Sequence, residues 1–292
     1  SSMARSTLVH CLLGAALALA APALFAEPAR FGADVELARD DNVSRGVVDA
    51  DRKSDTLLSL GGSATRSVLL GPRSGVVFQG GARYTHFADL GDLSNLGLSG
   101  RAAYRFQPVV GFSNPWLELA GELQWLAHND SDIRDGAILS AAASIGSHVT
   151  DRIRLSGGLG LERRSGGESE VYDLSTNRLF ATLDYRVGLR STLYTRIARI
   201  SGDHAFAAAD PVAVGWLLPI SEASAGDPAL GPGFNAYRIQ AKSLVYDLGF
   251  NYPLAGNQAL DFSVTHFIAE TDYDSREYDG TQLRVAYLYR FQ

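Results

Sequence analysis

Thr281 to Gln292 reads TQLRVAYLYRFQ, and its side chains alternate in character with a period of two. Leu283, Val285, Tyr287, Tyr289 and Phe291 share one parity; Arg284, Ala286, Leu288 and Arg290 share the other. An extended strand turns successive side chains to opposite faces, so this segment offers one apolar face and one charged face. A helix, with a period of about 3.6 residues, would scatter both sets around its girth.

Twelve segments can be read this way: 30–39, 56–69, 75–87, 95–107, 116–127, 137–148, 152–162, 177–188, 191–201, 238–252, 259–270 and 281–291. In 95–107, Leu96, Leu98, Tyr104 and Phe106 oppose Ser99, Arg101, Arg105 and Gln107. In 116–127, Leu117, Leu119, Leu123 and Trp125 oppose Glu118, Glu122 and Gln124. In 152–162, Ile153, Leu155, Leu159 and Leu161 oppose Arg154, Ser156 and Glu162. The connections alternate as well. Asp40 to Asp55, Asp130 to Gly136, Arg163 to Ser175 and Glu270 to Gly280 are long and acidic, whereas Gly71-Pro72-Arg73-Ser74, Val149-Thr150-Asp151 and Gly188-Leu189-Arg190 are tight turns. A β-sandwich would satisfy each strand singly, but it does not account for this rhythm.

Long loops alternating with short turns, an even strand count and a final strand ending on Phe291 resemble the outer-membrane β-barrels of Gram-negative bacteria. The resemblance implies an all-β fold: a transmembrane antiparallel up-and-down barrel of about 12 strands with a polar interior. It implies the cell outer membrane as the location, with outer-membrane lipid and lipopolysaccharide around the barrel and the barrel-assembly machinery acting during insertion. Turning Arg101 or Arg105 toward mid-bilayer would cost about 2–4 kcal/mol each, so the charged parity is expected to face the lumen. A slip of one residue would expose every charge in a strand, which specifies the register.

Residues 1–26 read as a secretory leader, with Ser1 and Ser2 as additions ahead of Met3. Arg5 is the basic start, and Leu12 to Ala26 is an apolar run with a small-residue exit, too short to span a membrane as a helix. Cleavage is expected after Ala26, or alternatively after Ala23. The only cysteine, Cys11, would leave with the leader, so no disulfide or thiol chemistry is expected in the barrel, residues 27–292. Only Glu27 to Arg30 would then precede the first strand, which argues against an autotransporter with a passenger.

By parity, the lumen candidates are Asp34, Glu36, Arg83, Arg101, Arg105, Glu118, Glu122, Arg154, Glu162, Arg178, Asp184, Arg186, Arg196, Asp247, Asp261, Arg284 and Arg290. Arg101 and Arg105 are expected beside Glu118 and Glu122, and Arg284 and Arg290 near Asp34 and Glu36. Such ladders can line a water-filled pore or cross-link a plug. Arg196 sits mid-strand and should point inward, and Arg199, of opposite parity, can snorkel at the outer rim. Phe78, Phe106, Trp116, Tyr185, Phe250, Tyr252, Phe262, Tyr289 and Phe291 gather at the periplasmic ends, as an interfacial girdle does.

The ninth connection, Gly202 to Tyr237, is long and unusually apolar. Trp216, Leu217 and Leu218 are candidates for a segment folded into or over the mouth; a cap on the rim is the plainer alternative. His86 and His266 have lipid-facing parity near the outer rim, where an outer-membrane lipid hydrolase would need a His–Ser pair. Their same-face strand neighbours supply no hydroxyl, and no Gly-x-Ser-x-Gly turn occurs. The aspartates of 40–55 and 130–135 match no calcium-loop spacing and read as a solvated acidic exterior. Asp41-Asn42-Val43 with Ser54-Asp55 also resembles barrels found with exopolysaccharide biosynthesis, although Asp and Asn are common loop residues.

The expectation is a narrow, porin-like passive channel for small polar, anionic or sugar-like solutes. No enzymatic activity, cofactor, metal or nucleic-acid partner is expected. The alternatives are a closed structural or surface barrel linked to exopolysaccharide export and, less favoured, a lipid-modifying enzyme.

Overall fold

The computed structural model describes residues 27–188, 190–273 and 277–291. Residues 1–26, where a leader with Cys11 is expected, and the terminal Gln292 lie outside the described residues. Twelve strands form the wall: β1 (Arg30–Asp40), β2 (Asp55–Gly71), β3 (Ser74–Phe87), β4 (Asn95–Phe106), β5 (Trp116–His128), β6 (Gly136–His148), β7 (Ile153–Gly166), β8 (Leu174–Val187), β9 (Ser191–Ala208), β11 (Asn235–Ala255), β12 (Gln258–Thr271) and β13 (Glu277–Arg290). A short β10 (Ala223–Gly226) adds to β11 beyond the wall. Every wall pairing is antiparallel. β9 pairs with β11, and β13 returns to β1 from Gly32↔Arg290 to Asp40↔Gln282, so the sheet closes and leaves no wall strand as a free edge.

Parity sorts the wall as expected. Val35, Leu37, Leu60, Leu119, Leu139, Leu159 and Leu283 are exposed on the outer surface. The lumen side carries ion pairs between strands, among them Arg83–Asp34, Arg105–Glu118, Arg154–Asp184 and Arg284–Glu36. One aromatic departs from the expected girdle. Trp116 is buried on the lumen side, with Arg105 and Arg154 over its ring at 5.3 and 5.8 Å. It shares the parity of Glu118, so strand geometry overrides its position near the membrane interface.

The ninth connection needs a larger correction, because both of its ends are strand. β9 continues to Ala208 and β11 begins at Asn235, and the two stay paired from Asn235↔Ala208 to Gln240↔Asp203. Pairing of β8 with β9 stops at Thr176↔Gly202, and pairing of β11 with β12 stops at Ala241↔Thr271. Above those levels a β9–β11 ribbon leaves the wall. It departs at Gly202, where φ is +131° and a Cβ would overlap the Ser175 carbonyl of β8. Only glycine adopts that backbone conformation without strain.

Candidate functional site

The lumen holds two charged networks on opposite walls. On one, Arg83 of β3 donates to Asp34 of β1 at 2.6 Å and lies 3.5 Å from Glu36. Arg284 of β13 donates to Glu36 at 2.8 Å, across the closing seam, and to Asp261 of β12 at 2.8 Å. Asp261 also accepts from the Tyr194 hydroxyl of β9 at 2.8 Å and from Asn251 of β11 at 3.1 Å. The network therefore runs from β3 through the seam to β9. Two glycines let it skip strands. A Cβ at Gly61 would overlap the Asp34 carboxylate, and one at Gly249 would overlap the Tyr194 ring.

On the other wall, Arg101 and Arg105 of β4 converge on Glu118 at 3.1 and 2.6 Å. Arg154 of β7 pairs with Asp184 of β8 at 2.9 Å. Glu122 faces Arg101 in register but forms no ion pair among the described residues, because Arg101 reaches diagonally to Glu118. Arg290 likewise does not join Asp34 or Glu36. It lines a cavity of about 540 Å³ at the periplasmic end with Asp34 and Asn251. Arg83 and Arg284 satisfy the two carboxylates instead. Asp247 accepts from Thr265, and Arg186 shares the face of Asp184 at the periplasmic end of β8.

Two further cavities occupy the lumen. An outer vestibule of about 560 Å³ is bounded by Arg45, Glu162, Arg178, His204, Phe267 and Tyr278, among others. A lower chamber of about 440 Å³ lies against β4–β9 and includes Arg101, Glu122, Arg154 and Arg196. Ser140 and Arg178 line both, so the two spaces meet there.

The outer mouth is roofed. The ribbon packs apolar side chains on both faces: Phe206, Ala208, Tyr237 and Ile239 pack with Ala213, Leu217 and Tyr278, while Ala205, Ala207 and Ala236, on the face shared with Asp203, Arg238 and Gln240, pack into two further clusters. Those clusters draw in Leu93 of the β3–β4 loop, Val171 and Tyr172 of the β7–β8 loop, and Leu230 and Phe234 of the 209–234 loop. Full burial of each large apolar side chain stabilises the roof by roughly 1.5–3 kcal/mol. A short helix α1 (Pro211–Leu217), capped by Asp210, inserts Leu217 into the first cluster. Trp216 is half-buried and Leu218 is exposed. Of the three expected constriction residues only Leu217 is fully buried, and none of the three lines the vestibule. Residues of the 209–234 loop pack together with the ribbon in the first two clusters.

Buried acids fasten the roof, among them Asp51 and Asp55 of the expected solvated exterior. Asp227 is fully buried; it accepts from Arg134 at 2.6 Å and from the Tyr172 hydroxyl at 3.0 Å, joining three loops. Burial pushes the Tyr172 phenol well above its ordinary pKa. Burial alone would lower the pKa of Arg134, but Tyr172 and Asp227 outweigh it and hold the guanidinium charged. Asp51 accepts from the backbone N–H groups of Ala209 and Asp210, at 3.0 and 2.9 Å, where the ribbon ends. Asp55 accepts from Asp89 and Leu90. Asn42 is fully buried, bonded to both backbone groups of Gly46 and to the Asp279 carbonyl. Arg45, at φ +58°, then places its guanidinium 4.1 Å from the Phe267 ring centre. Their positions in sequence resemble those of ordinary loop residues, and only the long-range partners distinguish them.

The histidines do find hydroxyl neighbours, supplied by other elements. His86 lies 3.3 Å from Ser94, His266 lies 3.1 Å from Thr281, and His204 lies 3.0 Å from Ser243. Ser94 is fully buried, and none of the three rings bonds a carboxylate among the described residues. No group of three His, Cys, Asp or Glu side chains suited to a metal ion occurs among the described residues.

The COG4313 outer-membrane channel from Pseudomonas putida F1 superposes with a TM-score of 0.56 at 12% identity, covering 93% of this chain and 97% of that one. The fold is that of an outer-membrane β-barrel. The CymD monoaromatic hydrocarbon channel (TM-score 0.47, 9% identity, 90% and 88% covered) and the KdgM porin (0.43, 9%, 89% and 99%) are more distant. No protein-family model and no curated protein matches the sequence.

Proposed function

We propose that this barrel is an outer-membrane channel passing small polar or anionic solutes, with its roof as the main resistance to flow. The observation carrying this reading is a charged lumen whose outer vestibule and lower chamber meet at Ser140 and Arg178. Ladders of both signs along a wet lumen suit hydrated solutes and reject apolar ones. Twelve strands give a bore between side-chain-filled small barrels and wide porins, consistent with narrow passage. Outer-membrane lipid and lipopolysaccharide would surround the exposed leucines, and the barrel-assembly machinery would insert the chain. The likeness to an outer-membrane channel agrees with this reading at the level of fold.

A second reading, a closed barrel acting at the surface, is favoured by the three apolar clusters that close the mouth. Liposome swelling separates the two. Purified full-length chain should admit a small sugar or sugar acid faster than a trisaccharide. Swelling no faster than protein-free vesicles for every solute would favour the closed barrel.

A further inference from the structure

The two lumen walls differ in net sign. On the seam side, Asp34, Glu36, Asp247 and Asp261 outnumber Arg83, Arg284 and Arg290, and Arg83 and Arg284 are each committed to two of those carboxylates. Five arginines line the lower chamber on the opposite wall, against Glu118 and Glu122. Glu118 is shared by Arg101 and Arg105, and Arg154 is held by Asp184.

Two of the five, Arg178 and Arg196, form no ion pair among the described residues, although Arg196 faces Asp247 of β11 in register. They stand on adjacent strands, where Arg178 opposes Ile200 and Arg196 opposes Thr182, so Arg178 is nearer the outer mouth. Arg178 lies 5.3 Å from the Phe180 ring centre, and its Nε and Nη2 approach the bare backbone of Gly160. That glycine leaves its guanidinium free to face the space where vestibule and chamber join. Ser140, Ser144, Ser156 and Thr182 supply hydroxyls around it.

We infer that Arg178 and Arg196 form an anion subsite at the junction of the two chambers, taking small solutes that carry a carboxylate or phosphate beside hydroxyl groups. Guanidinium forks match such oxyanions in geometry, and the neighbouring hydroxyls complete the shell. The acidic wall opposite makes the field transverse. An anion is drawn along β8 and β9, while a cation meets the charge of Arg178 where vestibule and chamber join. This subsite deepens the channel reading and rests on it for its role in transport, although not for its capacity to bind.

Two measurements on the full-length chain test it. In planar bilayers under a potassium chloride gradient, the reversal potential of the wild type should report preference for chloride. Arg178→Ala with Arg196→Ala should lower that preference, by roughly threefold for each unit charge removed close to the permeating ion. Arg163→Ala, on the outer surface, should leave it unchanged. Calorimetric titration of the detergent-solubilised chain with citrate and with inorganic phosphate provides the second readout, with binding expected in the wild type and lost in the double variant. Conductance with no chloride preference, or one unmoved by the double variant, would overturn the subsite and leave the channel intact. Should no preparation conduct, the channel reading fails; equal citrate binding by wild type and double variant, or none by either, would then overturn the subsite too.

Discussion

Replacing Asp227 by alanine should open the roof without unfolding the barrel. The carboxylate is fully buried, holds Arg134 at 2.6 Å and Tyr172 at 3.0 Å, and is the point where the β5–β6, β7–β8 and 209–234 loops meet. Removing it strands a guanidinium that is only 17% exposed, together with a phenol pushed upward by burial. Breaking a buried pair from one side costs about 3–5 kcal/mol, and at about 1.4 kcal/mol per decade that shifts a local open–closed equilibrium by roughly two to three and a half orders of magnitude. The wall is insulated, because its ladders are backbone hydrogen bonds remote from Asp227. Chymotrypsin should therefore cut near Trp216 and Phe234 in Asp227→Ala but not in the wild type, and single-channel recordings should show longer open times. Arg134→Met and Asp227→Leu combined with Tyr172→Phe should restore closure, since apolar replacement of all three partners leaves no stranded charge or hydroxyl. Unchanged cleavage and unchanged gating in Asp227→Ala would refute the argument that this ion pair fastens the roof.

Gly202→Val should strain the departure point of the ribbon and overlap the Ser175 carbonyl, so protease access to the roof increases while heat-modifiable mobility of the barrel is kept. Gly61→Leu should displace the Asp34 carboxylate from Arg83 and lower the barrel's resistance to guanidinium chloride, with little effect on the roof. Leu159→Arg, at a position 64% exposed on the outer surface, should destabilise the chain by about 2–4 kcal/mol in lipid vesicles, whereas Arg163→Leu should be tolerated. The raised pKa of Tyr172 means its contribution to roof stability is fully present below the ordinary phenol value of about 10 and is lost as pH climbs through the higher folded value. Absorbance titration should therefore find one tyrosine fewer ionising near that ordinary value than in Asp227→Ala.

The wall was legible because water or lipid sits on one face and the charged lumen on the other, and that contrast prints a period of two on each strand. All twelve wall strands coincide with alternating segments, and the ion pairs place Asp34, Arg101, Arg154 and Arg284 on the inner face. The contrast vanishes where both faces are buried. From Asp203 to Ala208 the ribbon packs on either side, so DHAFAA carries no alternation and reads as loop. Asp51 and Asp55 read as surface acids because their partners lie 34 to 159 residues away, beyond any local pattern. Trp116 was placed by composition when its parity with Glu118 already pointed inward.

The most direct test of a polar channel throttled by its roof compares two bilayer preparations, the wild type and a chain with residues 203–240, ribbon and loop together, replaced by a short glycine–serine turn joining Gly202 to Ala241. Wall pairing ends at those two residues, so the replacement lies beyond it. The account predicts small, gated conductance in the wild type and larger, steady conductance in the roofless chain. Equal conductance in the two would contradict the roof as the resistance, and no conductance in either would contradict the channel itself.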